Sequence, residues 1–222
     1  MLPRKMKSFY YFLMEPFMYI NSRIYLTLFS PRRFKRNVFV QLGPGQRNYI
    51  DGWINVDANF LTAKIDVWAD LRHKLPFRRN SIDAFYSHHM VEHLPDLKSH
   101  FKSVYNCLKD RGVYRVGGPN GDSAIKKFLE NDYEWFSDLP DKSKSIGGKL
   151  ENFIFCKNEH LTILTQSMLE EIMKDIGFVN IKVQIPSKET SFPEIFSKCL
   201  SKENENDFVN PKTLILEAEK IC

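Results

Sequence analysis

The chain has 222 residues, 43% of them hydrophobic, and a net charge of +5. That length suits one compact domain with appendages, and the hydrophobic content is enough for a real core. Four cysteines, Cys107, Cys156, Cys199 and Cys222, show no C-x-x-C spacing, which argues against a structural zinc site and a disulfide framework and fits a reducing, cytoplasmic setting.

The charge is unevenly placed. Residues 1–40 hold eight Lys/Arg and one acid, so this segment is +7 and the remainder −2; it also holds ten of the 30 aromatic residues. Glu15 and Pro16 interrupt the apolar run and no small-residue cleavage site follows, which speaks against a signal peptide. Glu15, Asn21 and Arg23 break any stretch of about 20 apolar residues, which speaks against a spanning helix. Residues 1–36 therefore read as a basic, aromatic, partly helical arm. Two roles are open to it: a peripheral membrane contact in the headgroup region, or packing as an extra helix on the domain or in a homodimer.

From Asn37 onward short apolar runs alternate with helical patterns, as in an α/β domain with a mostly parallel sheet over residues 37–222. The first run is VFVQLG, Val38 to Gly43, and WINVDA follows from Trp53 after only ten residues. Parallel strands normally need a crossover of about a dozen residues or more, so this connection is compressed and lacks room for its helix. KIDVWAD ends a third run at Asp70, and IDAFYS a fourth at Ser87. Leu97, Phe101, Val104, Tyr105 and Leu108 then repeat at helical spacing, with Asp96 as N-cap and Gly112 as stop. VYRVGGPN reads as a fifth strand, and Asp122 to Leu129 as a short helix. Residues 131–160 are irregular and aromatic, a length typical of a lid or acceptor-binding element. Helical spacing returns at Met168, Leu169, Ile172, Met173 and Ile176, opened by Thr165 or by Ser167 with Glu170 and stopped by Gly177. NIKVQI and TLILEA bring the strands to seven.

Ligands of open α/β sheets sit outside the carboxyl ends of the strands. After the first run comes Gly43-Pro44-Gly45, where the backbone can approach a ligand closely. The second ends in Asp57, a carboxylate able to accept from two ribose hydroxyls. The third ends in Asp70-Leu71, an acid for an exocyclic amine beside an apolar side chain that can cover a ring. The fourth is followed by SHHMVEHL. Within it His89, Glu92 and His93 spell H-x-x-E-H, the inverted zinc-protease signature. The alternating IDAFY before it and Pro95 after it leave room for a first helical turn only, so no metal is expected. His93 reads as structural.

The ordered set VQLGPG, GWINVD, ADLRHKLPF, IDAFYSHHMVEHL, LKDRGVYRVGGPN and GFVNI resembles class I S-adenosylmethionine-dependent methyltransferases, and more narrowly a compact bacterial branch whose members often accompany cell-surface polysaccharide genes. The resemblance covers Val38 to about Glu219 and implies a Rossmann-like seven-stranded sheet binding S-adenosylmethionine. It implies that Gly43 and Gly45 underlie the methionine portion, Asp57 holds the ribose, Asp70 and Leu71 frame the adenine, and His88 lies near the sulfonium. Pro44 and the shortened crossover depart from the pattern.

A hydroxyl acceptor benefits from a base with a pKa near neutrality, which histidine supplies. His89 and His160 are the catalytic candidates, ahead of His93 and Glu92. No [DN]-P-P-[YF] or Pro-Cys motif is present for base methylation, and the arm lacks a recognisable nucleic-acid module, so nucleic acid is disfavoured against a small molecule or glycan. The expectation is O-methylation. The alternative is a non-catalytic cofactor-binding or interaction protein that keeps the fold.

Overall fold

In the computed structural model, which describes residues 4–32, 37–137 and 143–221, seven strands form one sheet. They are β1 (Phe39–Leu42), β2 (Ile54–Asp57), β3 (Val67–Trp68), β4 (Ile82–His88), β5 (Leu108–Pro119), β6 (Phe178–Gln184) and β7 (Thr213–Lys220), in the spatial order β3-β2-β1-β4-β5-β7-β6. Neighbours from β3 to β5 pair in parallel, and β7 runs antiparallel between β5 and β6. Of the seven residues of β4, all but Asp83 are buried. A strand covered on both faces reads as a continuous apolar run, and IDAFYS does.

The third strand is shorter than KIDVWAD suggests. Asp66 turns its carboxylate to the neighbouring strand instead, where Oδ2 accepts from Asn55 N at 2.8 Å and Asn55 Nδ2 at 2.9 Å. The side chain thus takes over a ladder position and pins the start of β3 to β2.

Helices cover both faces. On one, α2 (Leu97–Cys107) and α5 (Gln166–Ile176) bring Phe101, Val104, Leu169 and Met173 onto Phe85, Tyr114 and Phe178. Asp96 caps α2 by accepting from Ser99 N, Thr165 caps α5 by accepting from Met168 N, and Gly177 closes α5 at φ 109°. A side-chain acceptor at the cap satisfies an otherwise orphaned N–H.

On the other face the connection between β1 and β2 contains no helix, as its length requires. The surface so exposed is covered by α6 (Pro193–Glu203), an element the sequence reading passes over. Its Phe196 and Cys199 join Trp53, Ala84 and Tyr86 in a second cluster. A helix inserted late in the chain thus does the packing that the first crossover cannot.

Two more helices lie above the sheet's carboxyl end. The helix α3 (Gly121–Leu129) starts at Asn120, whose side chain accepts from Ser123 N. Residues 131–160, expected to be irregular, contain α4 (Ile146–Phe155), capped by Ser145. Trp135, Phe136 and Phe153 close with Ala124 into a cluster of their own. Residues 138–142 of this proposed lid lie outside the described part.

The N-terminal arm is a helix, α1 (Arg4–Ile24), that packs along the β3 edge. Tyr10 Oη donates to Ala58 O and Asn21 Nδ2 to Trp68 O, each at 2.6 Å, and Met18 is fully buried. An edge strand offers unpaired backbone groups, and Asn21 satisfies one of them. The arm is thus a wall of the domain along one side; its other side remains exposed.

Candidate active site

A cleft of about 1050 Å³ lies outside the carboxyl ends of β1, β2 and β4. Gly43, Gly45, Asp57, Asp70, Leu71, His88 and His89 all border it, so seven of the eight residues singled out in the sequence meet in one place. His160 does not border it.

The two glycines differ in what demands them. Gly43 sits at φ 73°, and a Cβ there would stand 2.5 Å from Met90 Cγ. Its freedom serves the close packing of β1 against the turn after β4. Gly45, at φ 56°, has nothing within 4 Å of where a Cβ would be, which leaves its backbone open to the cleft.

Asp57 joins the two sides of the cleft floor. Its Oδ2 accepts from Gly45 N and its Oδ1 from Asn59 N, both at 2.9 Å. Burial raises its pKa, and the N–H groups of Asn59, Gly45 and Ala58 pull it back. Each carboxylate oxygen has two acceptor sites, so acceptor capacity remains toward the cleft. Asp70 is more heavily engaged: Arg72 Nε lies 2.9 and 3.0 Å from its two oxygens, Arg72 Nη2 contacts Oδ2, and Arg72 N donates to Oδ1. An adenine amine arriving here would share this carboxylate with Arg72.

His88 is buried at the end of β4, stacked at 6° on Tyr86. Neither ring nitrogen has a protein partner. Burial, with neighbouring His89 and Arg115, holds its pKa well below the usual imidazole value. His89 follows with φ 52°, a left-handed backbone that non-glycine residues seldom adopt and that recurs at functional sites. Its Nδ1 lies 3.3 Å from Glu92 Oε1 and its Nε2 3.2 Å from Thr213 Oγ1.

Residues Val91–His93 form one 3-10 turn, with no longer helix for a zinc-protease motif. Glu92 nonetheless lies at a centre the sequence did not reveal. Its carboxylate is fully buried, and Nε2 of His93 and Nε2 of His160 each lie 3.9 Å from Oε1. His160 stands behind His93, which lines the cleft.

The sequence reading also missed Tyr10 and Tyr11, which wall the cleft from α1. Burial pushes the Tyr11 phenol up to about 12. Their aromatic pattern was visible, but what they face is decided by a helix docking on residues some fifty positions later.

Residues 53–116 match the family model described as a methyltransferase domain, a span that holds Asp57, Asp70, Leu71, His88 and His89 but neither glycine nor His160. No protein of curated function matches the chain significantly. Among solved structures it resembles an S-adenosylmethionine-dependent methyltransferase of Thermotoga maritima, described as a possible histamine N-methyltransferase, at 19% identity with 96% of this chain and 95% of that one covered and a TM-score of 0.54. A similar enzyme of Archaeoglobus fulgidus gives 18% identity, 95% and 100% coverage and a TM-score of 0.53. Phosphoethanolamine N-methyltransferase 2 of Haemonchus contortus, solved with S-adenosyl-L-methionine, gives 14%, 96% and 60%, and 0.54. Sheet order, a cleft at the expected strand ends and these likenesses agree: the chain has the class I methyltransferase fold, with a methyltransferase domain matched from β2 to β5.

Proposed function

We propose that the protein is an S-adenosylmethionine-dependent methyltransferase acting on an oxygen of a small molecule or glycan. The observation that carries this reading is the convergence of Gly45, Asp57, Leu71 and His88, from four successive strand ends, on one cleft. The residues fit the cofactor: Asp57 keeps acceptor capacity for a ribose, Gly45 leaves its backbone open, and His88 lines the cleft with both ring nitrogens buried and without a partner among the described residues. When bound, S-adenosylmethionine supplies an electrophilic methyl group on a sulfonium.

The chain's own task is alignment and proton removal. Gly43, Gly45, Asp57 and Leu71 hold one partner on the floor, and the cleft positions the acceptor for in-line attack. An acceptor hydroxyl held there would take the methyl group that the cofactor supplies, and its proton is what the chain has to remove. The hydroxyl proton passes to His89 Nε2 as the acceptor hydroxyl replaces Thr213 Oγ1 there, while Glu92 Oε1 accepts from His89 Nδ1 and fixes the tautomer. His160, set behind His93, acts only through the Glu92 group.

Calorimetry with S-adenosylmethionine and S-adenosylhomocysteine tests the reading. Binding of both is expected, and binding of neither would overturn it. Transfer of labelled methyl to hydroxyl-bearing acceptors then separates an enzyme from a non-catalytic binding protein. His89→Gln should lower turnover about 10²–10⁴-fold with cofactor affinity retained.

The exposed side of α1 fits a peripheral membrane contact. Phe9, Phe12, Leu13, Phe17, Ile20 and Ile24 lie along one exposed stripe, on a segment whose basic excess complements anionic lipid. No helix of the described residues is long and apolar enough to cross a membrane.

A further inference from the structure

The geometry points to a divalent transition-metal site formed by Glu92, His93 and His160 at the edge of the cleft. Three potential donor atoms, one from each residue, lie within 4.8 Å of one another.

The hydrogen bonds behind the rings settle which nitrogens face inward as donors to a metal. His93 Nδ1 lies 2.9 Å from Glu159 O, and His160 Nδ1 2.9 Å from Ile154 O. A carbonyl only accepts, so both Nδ1 atoms carry hydrogen, and in the neutral rings both Nε2 atoms present lone pairs. Each lone pair faces Glu92 Oε1 at 3.9 Å, too far for a hydrogen bond. Three acceptors thus converge, and the nearby donor His89 Nδ1–H reaches Glu92 Oε1 without lying between the two imidazoles and the carboxylate. Imidazoles whose outer nitrogens donate to backbone carbonyls are the arrangement that orients metal ligands.

Glu92 supplies the second observation. Its carboxylate is fully buried and Oε2 has no hydrogen-bond partner among the described residues. A buried carboxylate with an unpartnered oxygen is stabilised by a cation beside it, and a metal ion supplies one. Oε1 has two acceptor sites, one for His89 Nδ1–H and one for the ion.

Two imidazoles and one carboxylate suit zinc and its neighbours. A tetrahedral ion with bonds of about 2.0–2.1 Å keeps its donors about 3.3–3.4 Å apart, so the two distances from Glu92 Oε1 need contract only by on the order of half an ångström. Three protein ligands leave a coordination position open, and His93 borders the cleft. An acceptor oxygen taking that position would be more acidic and held in place; this role, unlike the site itself, rests on the methyl-transfer reading.

The test is metal uptake by the full chain. After chelator dialysis, titration with Zn2+ should show one site per chain, and Co2+ should give visible absorption typical of low-coordinate nitrogen and oxygen ligation. His93→Gln and His160→Gln should each weaken Zn2+ at least tenfold, with the fold checked by circular dichroism. Absence of Zn2+ and Co2+ uptake by the folded wild type overturns the site, as does uptake unchanged in both variants. Calorimetry with S-adenosylhomocysteine on the same preparation keeps the two readings apart: cofactor binding without metal uptake sinks the metal site alone, and metal uptake without cofactor binding sinks the methyltransferase reading alone.

Discussion

The guanidinium of Arg72 lies 4.0 Å over the Tyr11 ring while it grips the carboxylate of Asp70. One cation thereby fastens α1 to the loop after β3, and Glu15 Oε2, 3.3 Å from Arg72 Nη2, adds a third partner. Arg72→Met would leave the buried Asp70 side chain with its backbone contact and His73 Nε2 at 3.7 Å. The expected cost is about 1–3 kcal/mol, below that of a fully buried pair because Arg72 is partly exposed. Arg72→Lys keeps the charge without the planar fork and should cost less. Urea unfolding of the two variants measures both, and equal midpoints with wild type would refute the fastening.

Asp57 is the residue on which cofactor affinity should turn. In Asp57→Asn the negative charge is gone and only one side-chain oxygen remains to serve Gly45 N, Asn59 N and a ribose. Charge-assisted hydrogen bonds contribute about 1.5–3 kcal/mol, so the Kd for S-adenosylhomocysteine should rise at least tenfold. Unchanged calorimetric affinity would place the ribose elsewhere.

How much of this was legible in the sequence follows from the range over which each feature is decided. Strands β1, β4 and β7 read directly because each is a run buried on both faces, β6 reads from its apolar alternation although it buries only Phe178 and Gln184, and α2 and α5 read from local apolar spacing and N-caps, although α2 ends at Cys107 and the expected stop Gly112 lies in β5. The helix α4 was hidden by Gly147 and Gly148 near its start, two residues unfavourable in a helix. The helix α6 buries only Phe196, Cys199 and Glu203, so its periodicity is faint, and its role depends on the helix missing between β1 and β2. The strand-end residues Asp57, Asp70 and His88 could be placed because their neighbours in the chain position them. The Glu92 cluster could not, since His160 reaches it through the path of α4 and the Nδ1 contacts with Ile154 and Glu159.

Arg115 is another residue the sequence did not single out. It is fully buried in β5, with Nε and Nη2 each 2.8 Å from the two oxygens of Glu203 and Nη1 2.6 Å from Glu217. Ser187 N, Ser191 N and Thr190 Oγ1 also donate to these carboxylates. The network ties α6 to the sheet at the face it covers. Arg115→Met leaves two buried carboxylates without their cation and should cost about 3–5 kcal/mol. Replacing Arg115, Glu203 and Glu217 together with apolar residues should cost less than the single change. Chemical unfolding checks the order, and a single variant as stable as wild type would contradict it.

Acid should weaken the fold through histidines held neutral. His100 is fully buried and its pKa is pulled down to about 4 by burial, only partly countered by its contact with Leu71 O; His88 is lowered by the same cause. The unfolded chain protonates these rings near the ordinary value of about 6.5 while the folded chain does not. Their contribution is therefore fully present above about pH 6.5 and is lost as pH falls toward 4. Each such proton gives a slope of about 1.4 kcal/mol per pH unit in that window. His100→Asn should flatten the dependence of the unfolding midpoint on pH there; an unaltered slope would show that His100 is not held neutral.

The proposed membrane contact can be tested apart from the cleft because the exposed stripe and the cleft-lining tyrosines lie on different sides of α1. Tyr10 and Tyr11 wall the cleft, so deleting the helix would damage both functions together. Phe12 is 81% exposed and Phe17 57% exposed, and neither borders the cleft. Burying a phenylalanine side chain contributes about 1.5–3 kcal/mol. Phe12→Ser with Phe17→Ser should therefore lower partitioning onto phosphatidylserine vesicles at least tenfold in co-sedimentation, with affinity for S-adenosylhomocysteine unaltered. The basic excess of the segment predicts weaker binding to neutral phosphatidylcholine vesicles and at raised salt. If the double variant sediments as wild type does, the exposed stripe does not meet a bilayer.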